Sequence, residues 1–262
     1  MNHSLLRKVL FYGGLLAAWQ ALHRWGPWPP YLVPGPPQVA EALIEGFADR
    51  TFLIGIAVTT RRLLIGYGIS LVVGVALGLL VGRKRWAEDT IGSLMLGLQT
   101  LPSICWLPLA IIWFGLSEKA IQFVVIMGAL LAIAIHTDDG VKNIPPIYEK
   151  AGRNMGARGL RLLWRVIVPA ALPSILSGAK LGWSFAWRSL MAAELLFVSL
   201  GLGQLLMMGR ELNDMAQVIA VMVVIILLGL IMDNLFFGKL ERRVRSRWGF
   251  AGAVDFPVRA RR

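Results

Sequence analysis

Apolar residues fill this chain in long blocks separated by short polar breaks, a pattern a lipid bilayer requires and a soluble core does not. A helix crossing the hydrocarbon core takes about 20 mostly apolar residues. Six stretches meet that rule: Leu6–Trp25, Leu63–Val81, Ile91–Gly115, Ala120–His136, Ala171–Ser199 and Ala216–Gly238. The second can begin as early as Phe52, through a half-polar lead-in turn. Between the first two, Gly26–Pro37 holds six prolines in twelve residues, which predicts an extended surface crossing. A short amphipathic helix, Gln38–Ala48, follows, with Val39, Leu43 and Phe47 on one side. Trp25, Trp28 and Tyr31 suit the headgroup level. The pattern predicts an all-α integral membrane protein, a single transmembrane domain over residues 1–262 with no internal repeat.

One stretch breaks the pattern. "EKAGRNMGARGLRLLWRVIVPAALPS", Glu149–Ser174, sets basic residues every few positions between the fourth and fifth spans. Pro145 and Pro146 suit a first helical turn, whose donors are unbonded anyway. Glu149 in that turn complements the helix dipole, Gly156 can end the helix, and Gly159 follows. A second segment, Leu160–Val168, mixes basic and bulky apolar residues, with Trp164 suited to the interface; Pro169 and Pro173 then open the fifth span. The expectation is a short helix held against the membrane and built to dock into a partner, in a loop over residues 138–170.

Composition strengthens the membrane reading: 56% of residues are hydrophobic and 16% charged, against roughly 25% charged in soluble domains. The net charge of +12 would suit nucleic acid if it formed one face, but the charges sit between apolar blocks. Membrane topology and anionic lipid account for them, with no nucleic acid partner. With the N-terminus in the cytoplasm, nineteen Lys and Arg residues fall inside and six outside, while Lys180 and Arg188 lie within a span. That bias places both termini, the docking stretch and a basic tail over residues 239–262 in the cytoplasm. The N-terminus is basic, then apolar, without a small-x-small cleavage site before the polar turn, so it is expected to stay as the first span. Cys105 is the single cysteine, and His3, His23 and His136 are scattered, so no metal site and no catalytic group is expected. There is no phosphate-binding glycine loop either. The chain reads as a non-enzyme, and any ATP must be hydrolysed by another chain.

Inside the spans, Gly66, Ser70, Gly74, Gly78 and Gly82 repeat every four residues, which suits close helix packing within the subunit or a contact between subunits. Pro102 and Pro108 suit either a bent, pathway-lining helix or an ordinary kink. On the fifth span, Lys180, Trp183, Ser184, Trp187, Met191 and Glu194 share one face, with Arg188 at its edge. Ionisable groups in lipid cost about 2.5–3.5 kcal/mol each on insertion scales. Either this face lines a passage in which Lys180 and Arg188 meet an anion, or they pair with Glu194 or Asp233, or snorkel.

The docking stretch resembles the cytoplasmic "EAA" loop of ABC importer membrane subunits, roughly E-A-A-x-x-x-G, about nine residues, then an I-x-L-P-like end. Here Gly156 is followed by "ARGLRLLWRVIVPAALPS". "PLAIIWFG" at 108–115, "DDGVKNI" at 138–144, "AWRSLMAAELL" at 186–196 and "GLGQLL" at 201–206 resemble the nitrate, sulfonate and taurine branch. The resemblance implies a type I ABC importer permease fold: six transmembrane helices with a coupling helix between the fourth and fifth. It implies a homodimer of this permease in a bacterial cytoplasmic (inner) membrane, two copies of an ABC ATPase subunit holding ATP and magnesium, and a periplasmic or lipid-anchored solute-binding protein. The coupling residues would be Glu149, Lys150, Ala151, Gly152 and Gly156; the pathway residues Lys180, Ser184, Trp187, Arg188, Met191, Glu194, Pro102 and Pro108. One position departs from the pattern. Six residues before Gly156 stands Lys150, with Glu149 one earlier, so either Glu149 takes the acidic role or the loop docks with different charge. The solute would be small and anionic, like a sulfonate, taurine or nitrate. A carrier or channel working without ATP, the same importer class carrying another small organic nutrient, and a membrane scaffold are the alternatives.

Overall fold

In hydrocarbon a spanning segment must satisfy its own backbone hydrogen bonds, so long apolar blocks become helices. The computed structural model describes residues 3–29, 31–197, 199–233 and 237, and over these the chain is helical with no strand. In chain order the helices are α1 (His3–Trp25), α2 (Pro36–Ala48), α3 (Thr51–Arg83), α4 (Arg85–Gln99), α5 (Ser103–Phe114), α6 (Glu118–Lys142), α7 (Pro146–Asn154), α8 (Gly159–Leu196), α9 (Leu202–Glu211) and α10 (Met215–Met232). Among the described residues, α3, α6, α8 and α10 are long and apolar enough to cross a membrane, and α4 with α5 makes a fifth if the pair counts as one span. α1 coincides with the first expected span but lies outside that set, with Arg7, Lys8, His23 and Arg24 near its ends. The expected end of the last span, Gly238, and the basic tail over residues 239–262 lie outside the described residues.

Four expectations change. The span expected at Ile91–Gly115 is two helices set 104° apart, because the chain leaves the helix at Leu101 and Pro102 has no N–H with which to continue it. Pro108 does not kink a helix; it occupies the first turn of the segment Leu107–Phe114, where its missing donor costs nothing. Pro169 and Pro173 do not open a separate span, and Leu160–Val168 is not a separate segment. α8 runs through all of them, because a π turn at Leu163–Ile167 shifts the hydrogen-bond register just ahead of the prolines: Val168 N–H reaches back five residues to Leu163 O. The prolines before α2 also divide differently, with Pro36 and Pro37 forming its first turn.

The described residues pack as two units, one drawn from residues 3–61 and 191–228, the other from residues 62–190 and 229–233. In the second, α6 is the most buried of the spans. The small-residue ladder of α3 packs against it. A Cβ on Gly74 would sit 2.9 Å from Leu130 O, one on Gly78 2.3 Å from Ala134 O, and one on Gly82 2.8 Å from Val141 Cβ. Ser70 Oγ, in the same seam, is within hydrogen-bond reach of Gly66 O at 2.8 Å on its own helix and of Ile126 O at 3.3 Å on α6. Of the two readings of that ladder, packing within the subunit is the one seen. From α8, Gly178 and Gly182 approach α6 in the same way at His136 and Ile133. Arg62, 2% exposed, is held by Glu118 at the start of α6 through a two-pronged ion pair, Nε to Oε2 at 2.8 Å and Nη2 to Oε1.

The first unit centres on Val39, Phe52, Leu202, Leu205, Val221 and Val224. The proline-rich crossing is pinned to α1 by Trp19 Nε1, which donates to Pro34 O at 2.9 Å, and by His23 Nδ1 against Val33 O at 2.7 Å. Asp49 Oδ1 accepts Thr51 N–H at 2.8 Å where α2 gives way to α3, which holds this carboxyl below its usual range. Val39 on α2 is buried as expected and Leu43 packs beside it, while Phe47 stays largely exposed and meets Phe52 edge-on.

Candidate functional site

The docking element is formed by α7. It starts at Pro146 with Glu149 in its first turn, and Arg153 reaches back one turn to Glu149 Oε2 at 3.2 Å. It ends in a Schellman motif: Ala157 N–H bonds Gly152 O and Gly156 N–H bonds Arg153 O, both at 3.0 Å, with Gly156 at φ +80°. A Cβ at Gly156 would be strained there, which is the physical reason for glycine at that position. Gly152 faces inward. A Cβ on it would lie 2.9 Å from both Leu162 Cδ1 and Val166 Cγ2, so it seats α7 directly on the first turns of α8. Beside that buried position, Ile147 (65% exposed), Tyr148, Ala151 and Met155 (80% exposed) are left open. Lys150 is exposed beside them and Glu149 is half-buried. Ile147, Tyr148 and Met155 were absent from the expected coupling set. Their signal was legible as apolar residues at i, i+4 and i+8 (147, 151, 155) inside a polar loop.

Above α7, Lys142 Nζ bridges Glu88 Oε1 at 2.9 Å and Asp138 Oδ2 at 2.8 Å, tying the end of α6 to α4. This accounts for part of the "DDGVKNI" motif: Asp138, one turn earlier on α6, holds Lys142 where it also reaches Glu88 on α4.

The expected face of α8 divides. Lys180 and Arg188 are exposed, and Ser184, Trp187 and Met191 are half-buried. Trp183 is buried edge-on against Tyr67 with ring centroids 5.0 Å apart, and Tyr67 Oη donates to Ala179 O at 2.9 Å. Glu194 is 0% exposed and turned into its own packing unit. Thr59 Oγ1 donates to its carboxylate, 2.9 Å from Oε2, and Gly203 N–H donates to Oε2 at 3.1 Å. Thr59 Oγ1 in turn accepts Leu202 N–H at 2.9 Å. The N-cap of α9 is Gly201, which has no side chain with which to cap, so Thr59 and Glu194 receive the first N–H groups of α9 instead. A Cβ on Gly201 would meet the Glu194 carboxylate at 2.7 Å, and one on Gly203 would meet Glu194 Cβ at 2.4 Å. The "AAELL" and "GLGQLL" motifs are therefore two halves of one buried knot. Thr59, its third member, carried no sequence signal, since a lone threonine in an apolar helix is common.

Pro102 lies in the turn between α4 and α5 and Pro108 within α5, and both are exposed. Pro102 borders a cavity in the second unit. Among the described residues, no three His, Cys, Asp or Glu side chains gather in a way that could hold a metal ion.

Known proteins are similar to this chain in sequence and fold. The family described as "Binding-protein-dependent transport system inner membrane component" matches residues 71–246. SsuC of Escherichia coli (strain K12), named for aliphatic sulfonates transport, is 32% identical over 90% of this chain and 89% of its own length. The taurine transport system permease protein TauC of the same organism is 28% identical over 82% of this chain and 80% of its own. The nitrate import permease protein NrtB of Synechocystis sp. (strain PCC 6803) is 27% identical over 81% and 80%. Among solved structures, a chain of the inward-facing MetNI methionine ABC transporter superposes with a TM-score of 0.65 at 18% identity, covering 74% of this chain and 96% of that one, which establishes a shared fold. With the helical fold, the glycine-capped α7 and the match across two thirds of its length, the chain belongs to the family of multi-pass inner-membrane permease components of binding-protein-dependent ABC transport systems.

Proposed function

We propose that this chain is the transmembrane subunit of an ATP-driven importer. In this reading it forms the pathway for a small organic or inorganic anion delivered by a solute-binding protein. The observation that carries the reading is the construction of α7. Its glycine face is fastened to α8 at Leu162 and Val166, and its apolar face, Ile147, Tyr148, Ala151 and Met155, is left open. A helix so held passes a push straight into α8, the element that also bears Lys180 and Arg188. The exposed apolar patch suits a groove on a soluble ATPase better than water. In this reading two copies of the chain pair with two ATPase subunits that hold ATP and magnesium. ATPase closure moves α7, and alternating access follows. The termini and α7 face the cytoplasm, in keeping with the distribution of Lys and Arg. The relatives named for sulfonate, taurine and nitrate transport support a solute of that size.

The test is co-expression with an ABC ATPase subunit from the same organism, purification through a tag on this chain, and ATP-dependent uptake in proteoliposomes. The double variant Ile147→Asp, Met155→Asp is expected to insert normally, lose the ATPase during purification and abolish uptake. Retained ATPase with unchanged uptake would refute the docking role. Uptake by the chain alone without ATP would instead favour a carrier.

A further inference from the structure

The cavity at the break between α4 and α5 carries information about the solute. It has a volume of about 240 Å³ and is lined, among others, by Gln99, Ser103, Trp106, Met127, Leu131 and Phe185. None of its lining residues is ionisable. Its walls are two aromatic rings, a thioether and aliphatic carbons, and its polar groups are amide and hydroxyl. Its floor is the bare backbone of Gly128 on α6. A Cβ there would lie 2.1 Å from Ser189 Oγ and 3.4 Å from Ser103 Cβ, so side chains of α8 and α5 close on this glycine, Ser103 lining the cavity and Ser189 lying behind its lining residues. Ser189 is 1% exposed, and among the described residues its Oγ has no hydrogen-bond partner.

We infer that this cavity is a solute subsite that takes the uncharged body of a small organic anion. Its apolar walls receive a short alkyl or aryl group, and the hydroxyls of Ser103 and Thr100 and the amide of Gln99 offer hydrogen bonds. The inference rests on the importer reading and narrows it. An inorganic anion such as nitrate has no apolar part to place against Trp106, Met127 and Phe185, and would find no charge here to offset its own desolvation. The volume is below the roughly 300–1,000 Å³ of pockets for drug-sized ligands, which sets the body at a few carbons or one ring.

The experiment uses the purified permease–ATPase assembly in nanodiscs without binding protein, so that any affinity belongs to the membrane subunit. Calorimetric titrations with butanesulfonate, benzenesulfonate and sodium nitrate are compared. The expected result is saturable binding of at least one sulfonate, none of nitrate, and at least tenfold weaker sulfonate binding in Ser103→Leu, which fills the cavity. Trp106→Ala, which removes a wall without adding bulk, is expected to weaken it as well. Each variant is accepted only if it is monodisperse and its assembly keeps ATPase activity. Nitrate binding as tight as sulfonate, sulfonate binding unchanged in both variants, or no saturable binding of either sulfonate would each overturn the subsite. Failure of the importer reading shows separately, as absence of the ATPase from the purified assembly.

Discussion

The buried knot at the start of α9 gives a sharp test of what holds the first packing unit together. The perturbation is Thr59→Val, which keeps the shape and removes one hydroxyl. That hydroxyl has two roles: it donates to the Glu194 carboxylate at 2.9 Å and accepts Leu202 N–H at 2.9 Å. Thr59 and Glu194 are both 0% exposed, so water cannot replace either bond. A hydrogen bond to a charged group contributes about 1.5–3 kcal/mol, and a buried backbone N–H left unpaired costs about 1–3 kcal/mol. The two share one atom and do not simply add, so the expected loss is about 3–5 kcal/mol, or two to three and a half decades in the folding equilibrium. Thr59→Ser keeps both bonds and loses one methyl, at a cost of roughly 1 kcal/mol. The assay is denaturant-driven unfolding in mild detergent, followed by tryptophan fluorescence, with the three proteins measured side by side. Equal midpoints for the valine and serine variants would show that the knot contributes no stability and that its hydrogen bonds are incidental.

Other substitutions probe other joints. Gly78→Val places a Cβ 2.3 Å from Ala134 O on the backbone of α6, so it is expected to lower the monodisperse yield in fluorescence-detected size exclusion; Gly68→Ala on the same helix has nothing within 4 Å and should leave the profile unchanged. Gly156→Ala forces a left-handed backbone at φ +80° at a cost of about 1–2 kcal/mol, read as faster hydrogen exchange over residues 146–157, and Gly156→Asn should recover part of the loss. Arg62→Leu removes a buried guanidinium from Glu118 and is expected to destabilise by about 1.5–3 kcal/mol in the same unfolding assay; because Glu118 keeps about half its side chain in solvent, Arg62→Leu with Glu118→Gln should fall close to the single variant. Gly152→Leu should lift α7 off Leu162 and Val166, leaving membrane insertion intact while uncoupling ATP hydrolysis from uptake in proteoliposomes.

Much of this protein was legible in one dimension because hydrocarbon is an unforgiving solvent. It demands internal backbone hydrogen bonds and apolar side chains over a set length, so α3, α6, α8 and α10 stand where the apolar blocks stand. The same holds for the ends of α7: its prolines and its glycine stop are local features, read from neighbouring residues, while its apolar residues Ile147 and Met155 went unread because a polar loop surrounds them. What only the tertiary structure decided are contacts between residues far apart in the chain. Helical spacing placed Glu194 on one face with Lys180, yet its carboxylate is claimed by Thr59, 135 residues earlier, and by the first turn of α9. Glycine spacing on α3 could not say whether its partner was α6 or another copy; the approach of Gly78 to Ala134 O did. Nor could Pro102 alone tell a kink from a turn of 104°, because the angle depends on what packs on either side of the missing hydrogen bond. Periodicity reports which faces are apolar, but a buried charge or a bare glycine is explained only by the atom that comes to meet it.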